Sequence, residues 1–279
     1  MKVFVAGAGA MGAGIAQVFS QGGWDVVLYD ISLNMAQKGL NSIEKGFSRL
    51  VEKGRMDAET QRAALAGIKT SEALQDAVEC DLVIEAIIED MQIKQDFFAA
   101  LDKICKPKAI FATNTSSLSI TEISSATSRQ DKFVGMHFFN PAPIMKLVEV
   151  IKSFKTSDET FNFIYDTAKS LGKEPIEVQE APGFVVNKIL VPMINEAICV
   201  LEQGVASAED IDKAMCLGTG HPLGPLALSD LIGNDVVLNI MNILMSETGD
   251  PKYRPAALLK KMVRANLLGK KTGAGFYDY

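Results

Sequence analysis

Short apolar runs alternate with longer stretches of mixed polar and apolar positions through the first two thirds of the chain, the pattern of strands alternating with helices. Lys2-Val3-Phe4-Val5-Ala6 predicts a buried strand, Ala13 to Gln21 a helix, and Val26-Val27-Leu28-Tyr29 a second strand ending at Asp30. Helices are expected from Leu33 to about Glu52 and from Ala58 to Ala66. A strand over Asp81 to Ala86 and a helix from Met91 to about Cys105 come next. Further strands are expected at Ala109 to Ala112, Phe133 to Phe138 and Leu147 to Ile151. A helix from Asp158 to Leu171 and a strand from Pro175 to Val178 complete the series. This alternation predicts an α/β, Rossmann-like fold with a doubly wound, mostly parallel sheet.

Near Ala181-Pro182-Gly183 the pattern changes, and the rest of the chain shows only helical runs: Phe184 to Gln203, Ser207 to Met215, Leu226 to Ser246 and Pro255 to Ala265. The expected domains are therefore 1–182, an α/β domain, and 183–279, an all-helical one. The run from Phe184 is apolar on nearly every face, so it should be buried within its own domain or against a second subunit. Pro192 inside it should kink it.

The first strand opens on a glycine-rich turn, Gly7-Ala8-Gly9-Ala10-Met11-Gly12, and Asp30 falls 18 residues after Gly12. Each part has a task in binding a dinucleotide. Gly7 permits the tight turn, Gly9 lets backbone approach a pyrophosphate, and Gly12 lets helix pack on strand. The helix N-terminus faces the phosphates with free N–H groups, while Asp30 accepts hydrogen bonds from the adenine ribose. Its charge would repel a 2′-phosphate, which favours NAD over NADP.

With 279 residues the chain can bury a sizeable core, and a net charge of -6 leaves no broad basic surface for nucleic acid. Cys80, Cys105, Cys199 and Cys216 are scattered without paired spacing and read as reduced thiols. Two histidines, His137 and His221, suggest no metal site. No apolar run reaches membrane-spanning length and the first strand begins at residue 2, so a cytoplasmic protein is expected.

Hydride transfer at an alcohol or ketone requires a group that moves the hydroxyl proton, and histidine titrates in the right range. His137 ends an apolar strand at the sheet's carboxyl edge, where open α/β sheets bind ligands. Glu149, twelve residues on, lies in the next strand, so a strand out and a strand back bring its carboxylate to the imidazole. Spacing alone favours a satisfied core histidine over a catalytic one. Asn114-Thr115-Ser116-Ser117 comes after another strand at the same edge, as a ligand-binding loop or an ordinary helix cap.

These blocks, with His137-Phe138-Phe139-Asn140-Pro141, Lys146-Leu147-Val148-Glu149-Val150, Pro182-Gly183-Phe184-Val185-Val186-Asn187, Gly218 to Asp230 and Lys270 to Tyr277, resemble the L-3-hydroxyacyl-CoA dehydrogenases in order along the whole chain. The resemblance is greatest to single-function bacterial members acting on 3-hydroxybutyryl-CoA. It implies an NAD-dependent oxidoreductase in which His137 is the general acid–base, Glu149 orients it, and Ser116 and Asn187 hold the substrate. Glu89, Lys94, Asn114, Asn140 and Lys271 match positions used around the cofactor. Lys45, Arg49 and Lys53 recur every four residues; on pattern alone they read as a solvated helix face. The resemblance instead implies that Arg49 and Lys53 meet the anionic CoA. Gly46 departs from relatives that carry a hydroxyl residue there. The resemblance also implies a homodimer, or a higher homo-oligomer, formed through the helical domain. Two other readings are a dehydrogenase of a free hydroxy acid and a non-enzymatic cofactor-binding protein.

Overall fold

The computed structural model describes residues 1–279, which divide into two compact units, Met1–Glu180 and Ala181–Tyr279. In chain order the first unit contains β1 (Lys2–Ala6), α1 (Ala10–Gln21), β2 (Asp25–Tyr29), α2 (Leu33–Glu52), α3 (Ala58–Ala66) and β3 (Ile68–Ser71). It continues with β4 (Leu82–Glu85), α4 (Met91–Asp102), β5 (Ile110–Thr113), α5 (Ile120–Ser124), β6 (Phe133–Phe138), β7 (Leu147–Lys152), α6 (Asp158–Ser170) and β8 (Glu174–Gln179). The eight strands form one sheet in the order β3-β2-β1-β4-β5-β6-β7-β8. Every neighbouring pair is parallel except β6 and β7. The order reverses beside β1, as in doubly wound sheets, and ligands of such sheets bind outside the strands' carboxyl ends.

Central strands are buried along nearly their whole length, as parallel strands covered on both faces must be. Phe4, Phe19, Phe98, Phe111 and Phe133 supply the largest side chains of this core. On α2 the buried positions are Ala36, Gly39, Ile43 and Phe47, one stripe at helical spacing, with charged residues elsewhere. Capping carboxylates or hydroxyls begin several helices: Asp57 accepts from the Thr60 N–H, Asp90 from Ile93 and Ser157 from Thr160.

Some elements differ from the sequence expectation. β3 is an unpredicted edge strand, too short and polar for an apolar run to reveal it. α5 is a single short helix that periodicity does not distinguish from a loop. α1 starts at Ala10, inside the glycine-rich segment rather than at Ala13, and α4 stops at Asp102, before Cys105.

The second unit is helical: α7 (Val186–Glu202), α8 (Ala208–Thr219), α9 (Pro225–Ile232), α10 (Asn234–Thr248) and α11 (Ala257–Arg264). The single helix expected from Leu226 to Ser246 is two, because Gly233 adopts φ +107° and α9 and α10 meet at 96°. α7 contains Pro192 and buries Val191, Ile194, Ala197 and Ile198, while Ile189 is 68% exposed. It is therefore covered on one side by its own unit and open on another. No single helix is long and apolar enough to cross a membrane.

A buried carboxylate organises this unit. Asp230 on α9 accepts from the Phe276 and Tyr277 N–H groups at 3.0 Å, from Asn234 Nδ2 at 2.9 Å and from the Tyr279 hydroxyl at 3.2 Å. It thus pins the chain's last residues to the α9–α10 corner. Replacing it by alanine orphans the buried Asn234 amide and three partly buried donors, and Asp230→Ala should destabilise the unit by about 2–4 kcal/mol. Chemical denaturation measures this directly; a loss below about 0.5 kcal/mol would mean that the tail is held by other contacts.

Candidate active site

The glycine turn after β1 is held by Gly7, whose N–H donates to Tyr29 O at 2.8 Å and whose φ is +91°. A Cβ on Gly7 would lie 2.5 Å from Ala86 O, and one on Gly12 1.7 Å from Gly7 O. Gly12 is thus demanded where α1 closely approaches the turn at the end of β1. Gly9 is different: a Cβ there would meet nothing within 4 Å. Its bare backbone borders open space, the room that a pyrophosphate requires. Gly9 is the N-cap of α1, whose first turn (Ala10, Met11, Gly12) carries no acidic side chain to compete with an anion. Asp30 Oδ2 accepts from the Ala8 N–H at 2.8 Å, which holds its carboxylate at the rim of the same turn. These residues fit a dinucleotide with a free ribose diol.

β6, the fourth strand of the sheet when β1 is counted as the first, brings His137 to the same carboxyl edge. In the antiparallel β6–β7 pair His137 stands directly opposite Glu149, so both side chains share one face. His137 Nδ1 lies 2.7 Å from Glu149 Oε2, with the carboxylate fully buried and the imidazole nearly so. The Phe139 ring packs on the imidazole at 4.6 Å between centroids. Asn114, after β5, accepts through Oδ1 from the Phe138 N–H at 2.8 Å, joining its loop to the strand end beside His137.

A second buried network fixes the loop that carries Ser116. Lys94 on α4 is 1% exposed and bonds both oxygens of Glu85, at 2.8 and 2.7 Å, and Glu89 Oε2 at 3.1 Å. Glu85, at the end of β4, also accepts from the Thr113 hydroxyl. Glu89 Oε1 accepts from the Thr115 hydroxyl at 2.6 Å and the Ser116 N–H at 3.0 Å. Burial pulls the Glu89 carboxyl upward, but the Lys94 charge and the Thr115 and Ser116 donors outweigh it, leaving Glu89 below its ordinary range. Glu85 and Thr113 are not among the residues expected from sequence, whereas Thr115 lies in the expected loop block. The available signal was an acid ending an otherwise apolar strand.

The remaining candidates lie elsewhere. Arg49 is exposed in the last turn of α2 and Lys53 caps that helix, so both stand on its solvent side. At Gly46 an added Cβ would lie 2.6 Å from Gln17 Oε1; a larger residue there requires the α1 glutamine to move. Asn140 comes after β6 in the loop to β7. Asn187 and Lys271 belong to the helical unit, Asn187 in the first turn of α7 and Lys271 ion-paired with Asp235.

A glycine turn of the dinucleotide-binding kind with an acid at its rim, and a buried imidazole–carboxylate pair at the same sheet edge, fit an NAD-dependent dehydrogenase. Residues 2–181 match the NAD-binding domain of 3-hydroxyacyl-CoA dehydrogenase and residues 183–279 match its C-terminal domain. The chain belongs to the 3-hydroxyacyl-CoA dehydrogenase family. It is 54% identical to a 3-hydroxybutyryl-CoA dehydrogenase of Clostridioides difficile, over 100% of this chain and 99% of the relative. Identity to the human mitochondrial hydroxyacyl-coenzyme A dehydrogenase is 45%, over 99% of this chain and 90% of that one. The crystal structure of (S)-3-hydroxybutyryl-CoA dehydrogenase PaaH1 from Ralstonia eutropha superposes with a TM-score of 0.97 at 49% identity, covering 100% and 98% of the two chains.

The two glycines separate binding from folding. Gly9→Ala should melt near the wild-type temperature yet bind NADH at least about tenfold more weakly, because its methyl group enters ligand space. Gly12→Ala should instead lose about 2–4 kcal/mol of stability through its collision with Gly7 O. Thermal melts with NADH fluorescence titration test the pair, and unaltered NADH binding by folded Gly9→Ala would place the pyrophosphate elsewhere.

Glu89 makes a prediction about acid. Because folding lowers its pKa, its stabilising contribution is complete above the unfolded value of about 4.3 and is lost as pH falls through the folded value. Glu89→Gln should flatten that part of the stability–pH profile. An unchanged slope between about pH 5 and 3 would show that other carboxylates govern acid unfolding.

Proposed function

We propose that this chain catalyses the reversible NAD-dependent oxidation of (S)-3-hydroxybutyryl-CoA to acetoacetyl-CoA, with His137 as general acid–base and Glu149 as its orienting partner. The observation that carries this reading is the buried 2.7 Å contact between His137 Nδ1 and Glu149 Oε2 at the ligand-binding edge of the sheet. Bound NADH supplies the hydride in the reducing direction. His137 enters protonated, Glu149 holds its Nδ1–H and balances the imidazolium charge, and Nε2 gives its proton to the C3 oxygen. Ser116 and Asn187 hydrogen-bond the reacting oxygen or the thioester beside it. The Gly7 to Gly12 turn, Asp30, Asn114, Asn140 and Lys271 hold the cofactor, while Glu89 and Lys94 fix the loop against it.

Arg49 and Lys53 take the charged end of CoA. Support comes from their exposure on α2, which crosses the glycine turn so closely that a Cβ on Gly39 would lie 2.8 Å from Ala8 Cβ and O. Names of the most similar relatives favour the four-carbon acyl group. A homodimer through the helical unit is supported by exposed apolar side chains, Ile189 on α7, Leu217 on α8, Leu231 on α9 and Val236 on α10. Four free cysteines suit a reducing compartment such as the cytoplasm.

The test is oxidation of NADH, and separately of NADPH, with acetoacetyl-CoA and with free acetoacetate. Turnover is expected with NADH and the thioester, and His137→Ala should lower kcat by about 10²–10⁴-fold while NADH still binds. Near-normal turnover by that variant removes His137 from the reaction. Equal rates with free acetoacetate would favour a hydroxy-acid dehydrogenase.

A further inference from the structure

Two lysines are buried in this fold, Lys94 and Lys173. Lys94 has two carboxylates, but Lys173, in the turn between α6 and β8, has none within ion-pair distance. Its Nζ donates instead to two backbone carbonyls, Ala142 O at 2.6 Å and Met145 O at 3.0 Å. Burial lowers its pKa from the usual lysine range. A buried cation without a counter-charge is costly, and an apolar side chain of the same length would fill the space at less expense. The charge therefore points to a task at those carbonyls.

Both carbonyls belong to the loop 139–146, which carries the chain from His137 on β6 back to Glu149 on β7. Internally the loop is tied by the Ile144 and Met145 N–H groups, each donating to Pro141 O at 3.0 Å. One side rests on α1, where a Cβ on Gly14 would lie 3.1 Å from Pro143 Cδ and 3.2 Å from Ala142 Cβ. Its far end is bound by the Glu174 N–H, which donates to Lys146 O at 2.8 Å. Lys173 is thus the side chain that fastens the middle of the loop to the start of β8.

We infer that Lys173 is a positioning residue for the dehydrogenase reaction, its ammonium clamping the loop 139–146 and so fixing Asn140 and the facing of His137 on Glu149. This rests on the proposed role of His137. Displacements near 1 Å in such a pair are enough to slow proton transfer strongly. The CoA-binding side chains proposed on α2 make no contact with this clamp, so substrate affinity should change little.

The experiment compares wild type with Lys173→Met and Lys173→Ala, after thermal melts establish folding. Folded Lys173→Met should lose about 10- to 100-fold in kcat with the KM for acetoacetyl-CoA held within about threefold. Propylammonium replaces the missing atoms of Lys173→Ala and should raise its kcat saturably without affecting wild type. A folded Lys173→Met with wild-type kcat overturns the inference, as does a Lys173→Ala that folds but ignores propylammonium. Failure of both variants to fold, even with propylammonium, assigns Lys173 to stability alone and overturns it equally. An inactive wild type sinks the dehydrogenase reading itself, and the inference with it.

Discussion

The hydrogen bond between His137 and Glu149 exists because β7 runs against β6. In an antiparallel pair, directly opposed residues share a face with their Cβ atoms about 4.5–5.5 Å apart, close enough for an imidazole and a carboxylate to meet without strain. A one-residue slip would send one of the two to the opposite face. Burial then makes a partner compulsory: Glu149 is fully out of water and must be paired within the protein. The only departure from parallel order between neighbouring strands therefore occurs where the proposed chemistry needs two side chains face to face.

Buried charge recurs at both edges of the sheet, with different consequences. At the amino edge Arg129 bonds Asp102 and the backbone carbonyls of Asp102, Cys105, Lys106 and Ala109, sealing the turn from α4 to β5. That turn carries no candidate residue, so its rigidity contributes to the fold alone. At the carboxyl edge Lys94 joins Glu85 to Glu89, and Glu89 in turn fixes the backbone at Ser116. The same device there holds a loop with polar side chains in place while leaving the loop at the surface of the sheet. Low local dielectric strengthens these contacts but makes a missing partner correspondingly expensive.

Much of this fold is legible along the chain because its strands are buried on both faces and so appear as continuous apolar runs. β3 escapes this logic, since an edge strand that reads Ile68-Lys69-Thr70-Ser71 buries only its ends. The α9–α10 corner escapes it too, because one residue with positive φ breaks a helix without altering its hydrophobic pattern. At the site, His137 and Glu149 are legible as a strand out and a strand back. Lys94 and Glu89 are visible only through family resemblance, and Glu85 and Lys173 by neither route. Their partners include a lysine on α4 and two loop carbonyls, contacts that depend on where backbone travels rather than on residue spacing. Asn187 and Lys271 likewise draw their proposed roles from the family.

α1 shows how far local propensity yields to these demands. Gly12 and Gly14 occupy its first turns, although each weakens a helix by about 1 kcal/mol relative to alanine. Gly12 lets the helix meet its own preceding turn, and Gly14 lets the loop 139–146 rest directly on its backbone. On a further side, Gly46 of α2 leaves room for Gln17. Ile15, Ala16, Val18 and Phe19, all buried in the core, retain the helix despite these glycines. A single helix thus borders both the open space at Gly9 and the loop joining His137 to Glu149. Bulk added at Gly14 would push on that loop while leaving the glycine turn's own residues unchanged. The glycine turn and the loop between His137 and Glu149 are consequently linked by packing through α1, and its glycines hold a local conflict that the surrounding core resolves.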